Sequence, residues 1–283
     1  MTAGAYSAAM GSPLAGAFAK LGRADEHLRS LVDEIGQIDA ASAKPSVVCI
    51  EFAPPRYVVR VRPVSAFSEQ ERLKLALIAG DAVANLRAAL DYLVCELVRL
   101  EGREPSRHNA FPIYAEKQQF DASVRSPRSS PLDGLKVDGS AWTFIERAQP
   151  YHGPDPNSAV LSILRRLSNR DKHRALYVQM AFPGLDAIDD LIGWNSDAIL
   201  RARDGIVGPL SEGQPTDIAW FEFDPSGPNP AVHVKGRLPV NPTFGDDELQ
   251  IGPGGLRTRL RDRIKELLDT AEGRFFGAHS GSL

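Results

Sequence analysis

The chain has 283 residues, of which 43% are hydrophobic and 24% are charged. This is the ordinary composition of a globular protein with a sizeable core. A formal net charge of −3 gives no global field that would draw the whole molecule to nucleic acid or to an anionic membrane. Any binding of that kind would have to be local.

Localisation is predicted from the N-terminus and the cysteines. The first residues lack the basic start and the continuous apolar stretch of a signal peptide, and no segment approaches the about 18 uncharged apolar residues of a membrane span. Cys49 and Cys95 fall on predicted core faces and have no CxxC partner, which favours reduced packing residues over a disulfide. We therefore expect a cytoplasmic protein with no membrane partner.

The first predicted elements are a helix, a hairpin and a long helix. Leucine and isoleucine at helical spacing predict a helix over residues 14–38. Two β-branched runs on either side of Pro54 and Pro55 predict a β-hairpin. Ser68 and Glu71 form a capping box, so we expect the long helix to span residues 68–100.

The later part of the chain changes from helices to strands and back. Short helices are predicted over residues 111–120 and 142–148, and Asn157 is expected to cap a further helix. Strand-like runs separated by Gly, Pro and Asp follow up to residue 250. A final helix is predicted over residues 254–275.

Helices on both sides of a strand-rich stretch favour an α+β fold. We expect a helical bundle, with the long central helix of residues 68–100, packed against a mostly antiparallel sheet. The whole chain is predicted to be a single domain with flexible ends at residues 1–13 and 277–283. Within it, residues 14–175 are mainly helical with the early hairpin, and residues 176–250 are strand-rich. In the alternative, residues 176–250 fold as an independent domain.

Two segments place polar residues inside apolar helical patterns, GDAVANLRAALDYLV (residues 80–94) and LSNRDKHR (residues 167–174). Charged side chains are rarely buried unless they are paired. Arg87 and Asp91, at i and i+4, share a face with small and apolar residues. Asp171 projects where a leucine would be expected, and Arg87 is its predicted partner. The predicted structural polar network consists of Arg87, Asp91, Asp171 and Arg174.

A second polar stripe is predicted on the same later helix. It consists of Arg166, Asn169 and His173, at spacings of three and four residues. A histidine beside a phosphate-binding guanidinium is what metal-independent RNA cleavage requires. These three residues are the candidate catalytic residues, and RNA is the candidate partner. In the alternative, they form only a solvated helix face.

The last predicted helix is locally basic. Arg257, Arg261 and Lys265 are its candidate contacts to nucleic acid. Because the basic residues occur at every other position, they wrap around the helix, which favours plain solvation. The sequence contains no metal-binding motif and no phosphate-loop motif, so no metal site and no cofactor are predicted.

Four motifs carry a family resemblance: NLRAALDYLV, FPI (residues 111–113), QPY (residues 149–151) and LSNRDKHRAL, in this order. Together they resemble a family of uncharacterised bacterial proteins that is frequent in actinobacteria, and this resemblance implies no activity. Polar helices that carry Arg and His are also similar to the HEPN group of helical domains, many of which are ribonucleases in defence and toxin systems. In that likeness Arg166 and His173 take the places of the HEPN Arg and His, with Leu167 at the polar position.

The sequence therefore leaves three functional hypotheses. The first is a non-enzymatic or accessory interaction protein whose helical core is fixed by the polar network. The second is a HEPN-like metal-independent ribonuclease that belongs to a phage-defence or toxin system. The third is nucleic-acid binding through the last helix. Long helices with two packing faces are also compatible with a homodimer.

Overall fold

The computed structural model describes residues 12–41, 47–53, 56–62, 67–126, 128–181, 192–194, 199–205, 209–210, 215–224, 226, 231–234, 241–245 and 249–277. The expected flexibility of residues 1–13 and 277–283 concerns mostly residues outside these ranges and stays a prediction. The side chain of Cys49 also lies outside the described part of the chain, whereas Cys95 is a half-buried free thiol.

Helices lie on both sides of the strands in the sequence. They are α1 (Ala15–Ala41), α2 (Glu69–Leu100), α3 (Lys117–Val124), α4 (Ser140–Arg147) and α5 (Val160–His173). A 3-10 turn at Pro150–His152 separates α4 from α5. The last helical segment, α6, joins Pro253–Gly255, a π-helical stretch Leu256–Arg261, Asp262–Ala271 and a π-helical stretch Glu272–Phe276. Among the helices described, none is long and apolar enough to cross a membrane.

The long helix α2 begins and ends where its sequence predicts. The Ser68 hydroxyl accepts a hydrogen bond from the Glu71 amide at 3.2 Å, and the Glu71 carboxylate accepts one from the Ser68 amide at 2.7 Å. This confirms the capping box, because it satisfies two amides that have no partner within the helix. At the other end Gly102 has a φ of 74°, the left-handed conformation that commonly terminates helices.

Two other predicted helix boundaries are wrong. The helix expected over residues 111–120 begins only at Lys117, and Phe111–Tyr114 is not helical. The helix expected to start at Asn157 begins at Val160, with Ala159 at the N-cap position and no side-chain cap. There the Asp155 carboxylate accepts a hydrogen bond from the Ser158 amide at 3.3 Å, which holds these residues in a turn.

The strands are short apart from the first two and β7. They are β1 (Val47–Ala53), β2 (Arg56–Arg62), β3 (Tyr177–Ala181), β4 (Ile192–Gly193), β5 (Leu200–Gly205), β6 (Pro209–Leu210), β7 (Thr216–Phe223), β8 (His233–Val234), β9 (Asn241–Gly245) and β10 (Gln250–Ile251). The predicted hairpin is confirmed, since β1 and β2 pair in antiparallel register from Ala53 with Arg56 to Val47 with Arg62.

The strands form antiparallel sheets. One has the order β1-β2-β7-β5 and another the order β10-β9-β3-β6, while β4 pairs with β8. All pairings among the described strands are antiparallel. The predicted α+β class, with a long central helix and mostly antiparallel sheets, is therefore confirmed.

Contacts between residues divide the chain into two compact units. The helical unit comprises Met1–Ser30, Leu77–Leu176 and Gly254–Leu283, and the strand unit comprises Leu31–Ala76 and Tyr177–Pro253. The predicted strand-rich segment is thus joined in its unit by the early hairpin, which pairs with β7. Because α1 and α2 each contribute to both units, the prediction of a single domain remains open.

The interior of the helical unit is built around α2. The leucine stripe of this helix is completely buried at Leu86, Leu90, Leu93 and Leu97. The adjoining face is also completely buried at Val94 and Val98, so α2 packs on two sides as its sequence predicts. Burial of this second face brings Arg87 and Asp91 next to the interior of the unit.

The strand unit has its own core and a charged outer face. Val59, Ile218 and Phe221 are completely buried at its centre. On the other face of the sheet, Arg60 lies 2.6 Å from Asp217 and 2.9 Å from Glu51. These exposed ion pairs raise the pKa of Arg60 and link three neighbouring strands.

Candidate functional site

Arg87 and Asp91 hold the backbone of a non-helical segment. The Arg87 guanidinium donates a hydrogen bond to the Phe111 carbonyl at 2.5 Å, and the Asp91 carboxylate accepts one from the Phe111 amide at 2.8 Å. The two side chains also form an ion pair at 3.1 Å. Both polar groups of the Phe111 backbone are thereby satisfied by side chains instead of a strand or helix partner.

Gln149 holds the same segment from the other end. Its amide nitrogen donates hydrogen bonds to the carbonyls of Pro112 at 2.8 Å and of Ile145 at 3.0 Å. Its amide oxygen accepts a hydrogen bond from the Tyr114 amide at 3.0 Å. Gln149 is only 3% exposed, so these bonds form in an interior where an unsatisfied amide would be costly.

The NLRAALDYLV, FPI and QPY motifs therefore meet in space. Arg87 and Asp91 come from the first motif, the segment Phe111–Tyr114 contains the second, and Gln149 begins the third. A buried segment without regular structure needs a partner for each backbone amide and carbonyl. These polar residues supply such partners, and we call them the backbone clamp.

The pKa of Asp91 is raised, because burial opposes its ionised form more strongly than its neighbours support it. The positive charges of Arg87 and Lys172 and the hydrogen bond from the Phe111 amide act in the opposite direction. The carboxylate thus sits in an environment that is partly buried and cationic.

A cavity of about 240 Å³ lies beside the clamped segment. One wall is the segment itself together with Arg87. The opposite wall is one face of α5, which carries Arg165, Ser168, Asn169 and Lys172. These four residues follow the spacing i, i+3, i+4 and i+7, so they form a single stripe on the helix. Ser123, Ser129, Ala110 and Pro131 complete the lining.

The lining carries positive charge and no carboxylate. Among the described residues, Arg165 and Lys172 form no ion pair and no hydrogen bond through their charged groups. The Arg165 guanidinium instead lies 5.1 Å from the centre of the Tyr114 ring, a cation–π contact. The cavity therefore presents two cations that form no ion pair among the described residues, although the charge of Lys172 does favour ionised Asp91.

Ser168 adds a further donor. Its side chain is largely buried, with the residue only 5% exposed, and it lines the cavity. In the described part of the chain its hydroxyl has no hydrogen-bond partner. The oxygen is not among the fully buried polar atoms that lack a partner in this part of the chain, so solvent still reaches it. A ligand in the cavity would give it a hydrogen-bond partner.

The predicted catalytic residues do not converge on this cavity. Asn169 lines it, but Arg166 and His173 do not, and His173 is exposed to solvent. The stripe that faces the cavity lies one residue away from the predicted stripe, which is a rotation of about 100° around the helix axis. Sequence analysis therefore missed Arg165 and Lys172. Their spacing of seven residues on one polar helix was the signal that could have identified them.

The predicted ion pair between Arg87 and Asp171 is also wrong. Arg87 pairs with Asp91, and no ion pair or hydrogen bond involves the Asp171 carboxylate within the described ranges. This carboxylate instead packs against the backbone of Gly80, where a Cβ would lie 2.2 Å from Oδ1. This close approach explains why residue 80 is a glycine, since any other side chain would place a Cβ there. Arg174 is exposed at the end of α5 and likewise takes no part in the network.

Replacing Asp171 with asparagine is expected to stabilise the protein at pH 7. Burial, with a contribution from the charge of Asp81, raises the pKa of Asp171 above its usual value of 3.8. An acid with a raised pKa in the folded state opposes folding when it is ionised, so its removal helps above that pKa. We expect a gain of about 0.5 kcal/mol, a small value because the carboxyl keeps part of its hydration.

The gain should vanish as the pH falls below 3.8, because Asp171 is then protonated in both folded and unfolded chains. Urea denaturation of the D171N variant at pH 7 and pH 3.5 measures both values. The matched control is D33N, at an exposed position of α1. If D171N and the wild type have the same free energy of unfolding at pH 7, then the charge of Asp171 does not destabilise the folded protein, and the prediction is wrong.

The predicted nucleic-acid contacts on α6 differ in their surroundings. Arg261 is only 14% exposed at its side chain and forms a two-pronged ion pair with Asp25, with both N–O distances at 2.8 Å. It therefore connects α6 to α1 instead of presenting a free cation, which corrects its predicted role. Lys265 pairs with Asp269, and Arg257 is exposed.

The described residues contain no group of three or more His, Cys, Asp or Glu side chains placed to hold a metal ion. The Glu146 carboxylate does accept hydrogen bonds from the Tyr151 hydroxyl at 2.8 Å and approaches His152 at 3.1 Å. These contacts lie at the surface beside the 3-10 turn. The hydrogen bond helps to raise the pKa of Tyr151, although burial is the largest cause.

Comparisons with known proteins add no relative. No family model matches the chain, and neither a curated protein nor a solved structure was found to be similar to it. The resemblance to an actinobacterial family and to HEPN domains therefore depends on the motifs alone.

Proposed function

We propose that the chain is a cytoplasmic, non-enzymatic accessory protein that binds an anionic ligand in the cavity between α5 and Phe111–Tyr114. The observation that carries this proposal is the pair of cations, Arg165 and Lys172, which line the cavity and form no ion pair among the described residues. Like charges that share one cavity repel each other, and an anion bound between them would relieve that repulsion.

The lining supports binding more than catalysis. Its ionisable side chains are Arg87, Arg165, Lys172 and Tyr114. An arginine cannot act as a general base near neutral pH, since its guanidinium stays protonated. His173, the residue with the most suitable chemistry for acid–base catalysis, lies outside the lining. The side chains present can hold an anion and orient it.

The backbone clamp supports the same proposal, because it makes one wall of the cavity rigid. A binding site needs its groups held in place by neighbouring contacts. Arg87 connects the two features, since its guanidinium both clamps the Phe111 carbonyl and lines the cavity. The ion pair of Arg87 with Asp91, one part of the predicted polar network, thus also contributes to the site.

Isothermal titration of the full chain with inorganic phosphate at pH 7.5 tests the proposal. We expect binding with a dissociation constant of about 1 mM, a reasonable value for so small a ligand. Replacing either Arg165 or Lys172 with glutamine should weaken binding about tenfold, the value of one charge-assisted hydrogen bond. The R257Q variant, which removes an exposed cation of α6, is the matched control.

The outcome that would contradict the proposal is equal weakening by R257Q and by the cavity variants, or no binding at all. Circular dichroism spectra of all variants show whether the fold is retained. Lys172 is exposed, so its substitution should leave the helix intact.

A HEPN-like ribonuclease is the second candidate function. It is favoured by one observation, namely that Asn169 of the predicted catalytic stripe lines a cationic cavity that would attract RNA phosphates. Incubation of the protein with a mixed RNA pool tests this candidate, with and without divalent cations. Cleavage that is lost in an H173A variant would support a ribonuclease and contradict the non-enzymatic proposal.

A further inference from the structure

We propose that the cavity selects a phosphate monoester, the doubly charged end group of a small phosphorylated molecule, over the singly charged phosphodiester of a nucleic-acid backbone. This inference rests on the proposed anion-binding function and specifies its ligand. Three features of the cavity support it: its net charge, its hydrogen-bond donors and its size.

The charge around the cavity matches a dianion. Arg87, Arg165 and Lys172 are the cations of the lining, and Asp91, paired with Arg87, is the carboxylate next to them. The described groups therefore leave a net charge of +2. A phosphate monoester carries nearly two negative charges above its second pKa of about 6, whereas a phosphodiester or a carboxylate carries one. Only the dianion neutralises both unpaired cations.

The donors on α5 equal in number the three free oxygens of a monoester end group. Arg165 and Lys172 stand seven residues apart on α5, and the Ser168 hydroxyl lies between them on the same stripe. Each can donate to a different oxygen of a monoester. A phosphodiester has only two free oxygens, because the others are bonded to carbon, so the three donors would have to share them.

The size of the cavity favours a small ligand. A volume of about 240 Å³ is below the range of about 300–1,000 Å³ for drug-sized ligands. Away from α5 the lining includes four apolar residues, Phe111, Pro112, Ile113 and Pro131, beside Arg87 and two serines. A phosphate group fits against the stripe of α5, while a small carbon skeleton contacts these apolar residues. A continuous nucleic-acid strand would have to leave the cavity at both ends.

A pair of matched probes tests the inference. Methyl phosphate is a monoester and dimethyl phosphate is a diester, and they differ by one methyl group and one charge. Titration of the full chain at pH 7.5 should show methyl phosphate binding at least about tenfold more tightly, the value of one additional charge-assisted contact. In the K172Q variant one unpaired cation is gone, so this preference should fall to about threefold or less.

A second variant, R165Q, should reduce the preference in the same way and covers the case in which K172Q is poorly folded. R257Q should retain the full preference. Equal affinity for the two probes in the wild type would overturn the inference while leaving anion binding intact. Failure of both probes and of inorganic phosphate to bind would overturn the proposed function as well.

One further outcome separates small ligands from nucleic acid. A 5′-hydroxyl oligoribonucleotide contains phosphodiesters only. Its affinity for the cavity should be no higher than that of dimethyl phosphate. If it binds more tightly than methyl phosphate and this binding is lost in K172Q, then the cavity recognises a polynucleotide backbone and the monoester inference is wrong.

Discussion

Replacing Gln149 with leucine is expected to lower the free energy of unfolding by about 3 kcal/mol. The substitution removes two donated hydrogen bonds, to the Pro112 and Ile145 carbonyls, and one accepted from the Tyr114 amide. Leucine fills a similar volume, so the expected loss comes from the backbone groups that remain buried without partners rather than from a cavity. Chemical denaturation followed by circular dichroism measures the difference.

The matched control for Gln149 is Q119L. Gln119 is an exposed residue of α3, so its substitution should change stability by less than about 0.5 kcal/mol. A Q149E variant adds a second comparison, because it keeps an acceptor for the Tyr114 amide but loses both donated bonds. If Q149L unfolds at the same denaturant concentration as the wild type, the clamp does not stabilise the fold.

Replacing Arg87 with methionine is expected to destabilise the protein by about 3 kcal/mol at pH 7. Methionine retains much of the aliphatic packing, but the Phe111 carbonyl loses its donor and Asp91 loses its ion-pair partner. The Asp91 carboxylate would then be partly buried without that compensating charge. For this reason, removing one member of a buried ion pair usually lowers the free energy of unfolding by more than the intact pair raises it.

The loss in R87M should depend on pH in a specific direction. Burial already raises the pKa of Asp91, and removing Arg87 raises it further, because the guanidinium favours the ionised carboxylate. As the pH falls toward the usual value of 3.8, Asp91 becomes protonated and the cost of its unpaired charge disappears. The difference from the wild type should therefore be largest at pH 7 and smaller at pH 4.

The control for this prediction is R99M on the same helix. Arg99 forms its ion pair with Glu96 at the surface, where such pairs contribute little, so the effect should be within about 0.5 kcal/mol at both pH values. A loss in R87M that stays constant from pH 7 to pH 4 would show that Asp91 is not the carboxylate concerned.

The elements that were predicted correctly have local signals. The capping box of Ser68 and Glu71, the hairpin around residues 54–55 and the leucine stripe of α2 each depend on residues that are close in sequence. Local hydrogen bonds and the helical repeat of α2 determine these features, so periodicity and capping patterns are enough to recognise them.

The backbone clamp could not be predicted in the same way. Arg87 and Gln149 bond to Phe111 and Pro112, respectively, from 24 and 37 residues away in the chain. Distant side chains satisfy the backbone of residues 111–114, which therefore need no helical hydrogen bonds. No pattern in the neighbouring sequence indicates this. The motifs NLRAALDYLV, FPI and QPY occur as a set in the sequence, but the physical reason for the set is visible only in three dimensions.

The predicted catalytic stripe and the cavity stripe lie on the same helix, α5, but on neighbouring faces. Asn169 was identified, whereas Arg165, Ser168 and Lys172 were not. Arginine and lysine occur so often on solvated helix faces that their type alone does not distinguish a ligand site. The distinguishing property is the lack of an ion pair among the described residues, which depends on what folds opposite α5. Asp171 was misjudged for a related reason, since its neighbour is the backbone of Gly80.

The most direct test of the account is the location of anion binding, observed by NMR titration of the full chain with inorganic phosphate. If phosphate binds in the cavity, the amide resonances of Tyr114, Ser168, Asn169 and Lys172 shift together with one common dissociation constant, and these shifts are lost in the R165Q variant. Shifts confined to α6 around Arg257, or shifts at the cavity that persist in R165Q, would contradict the proposed function.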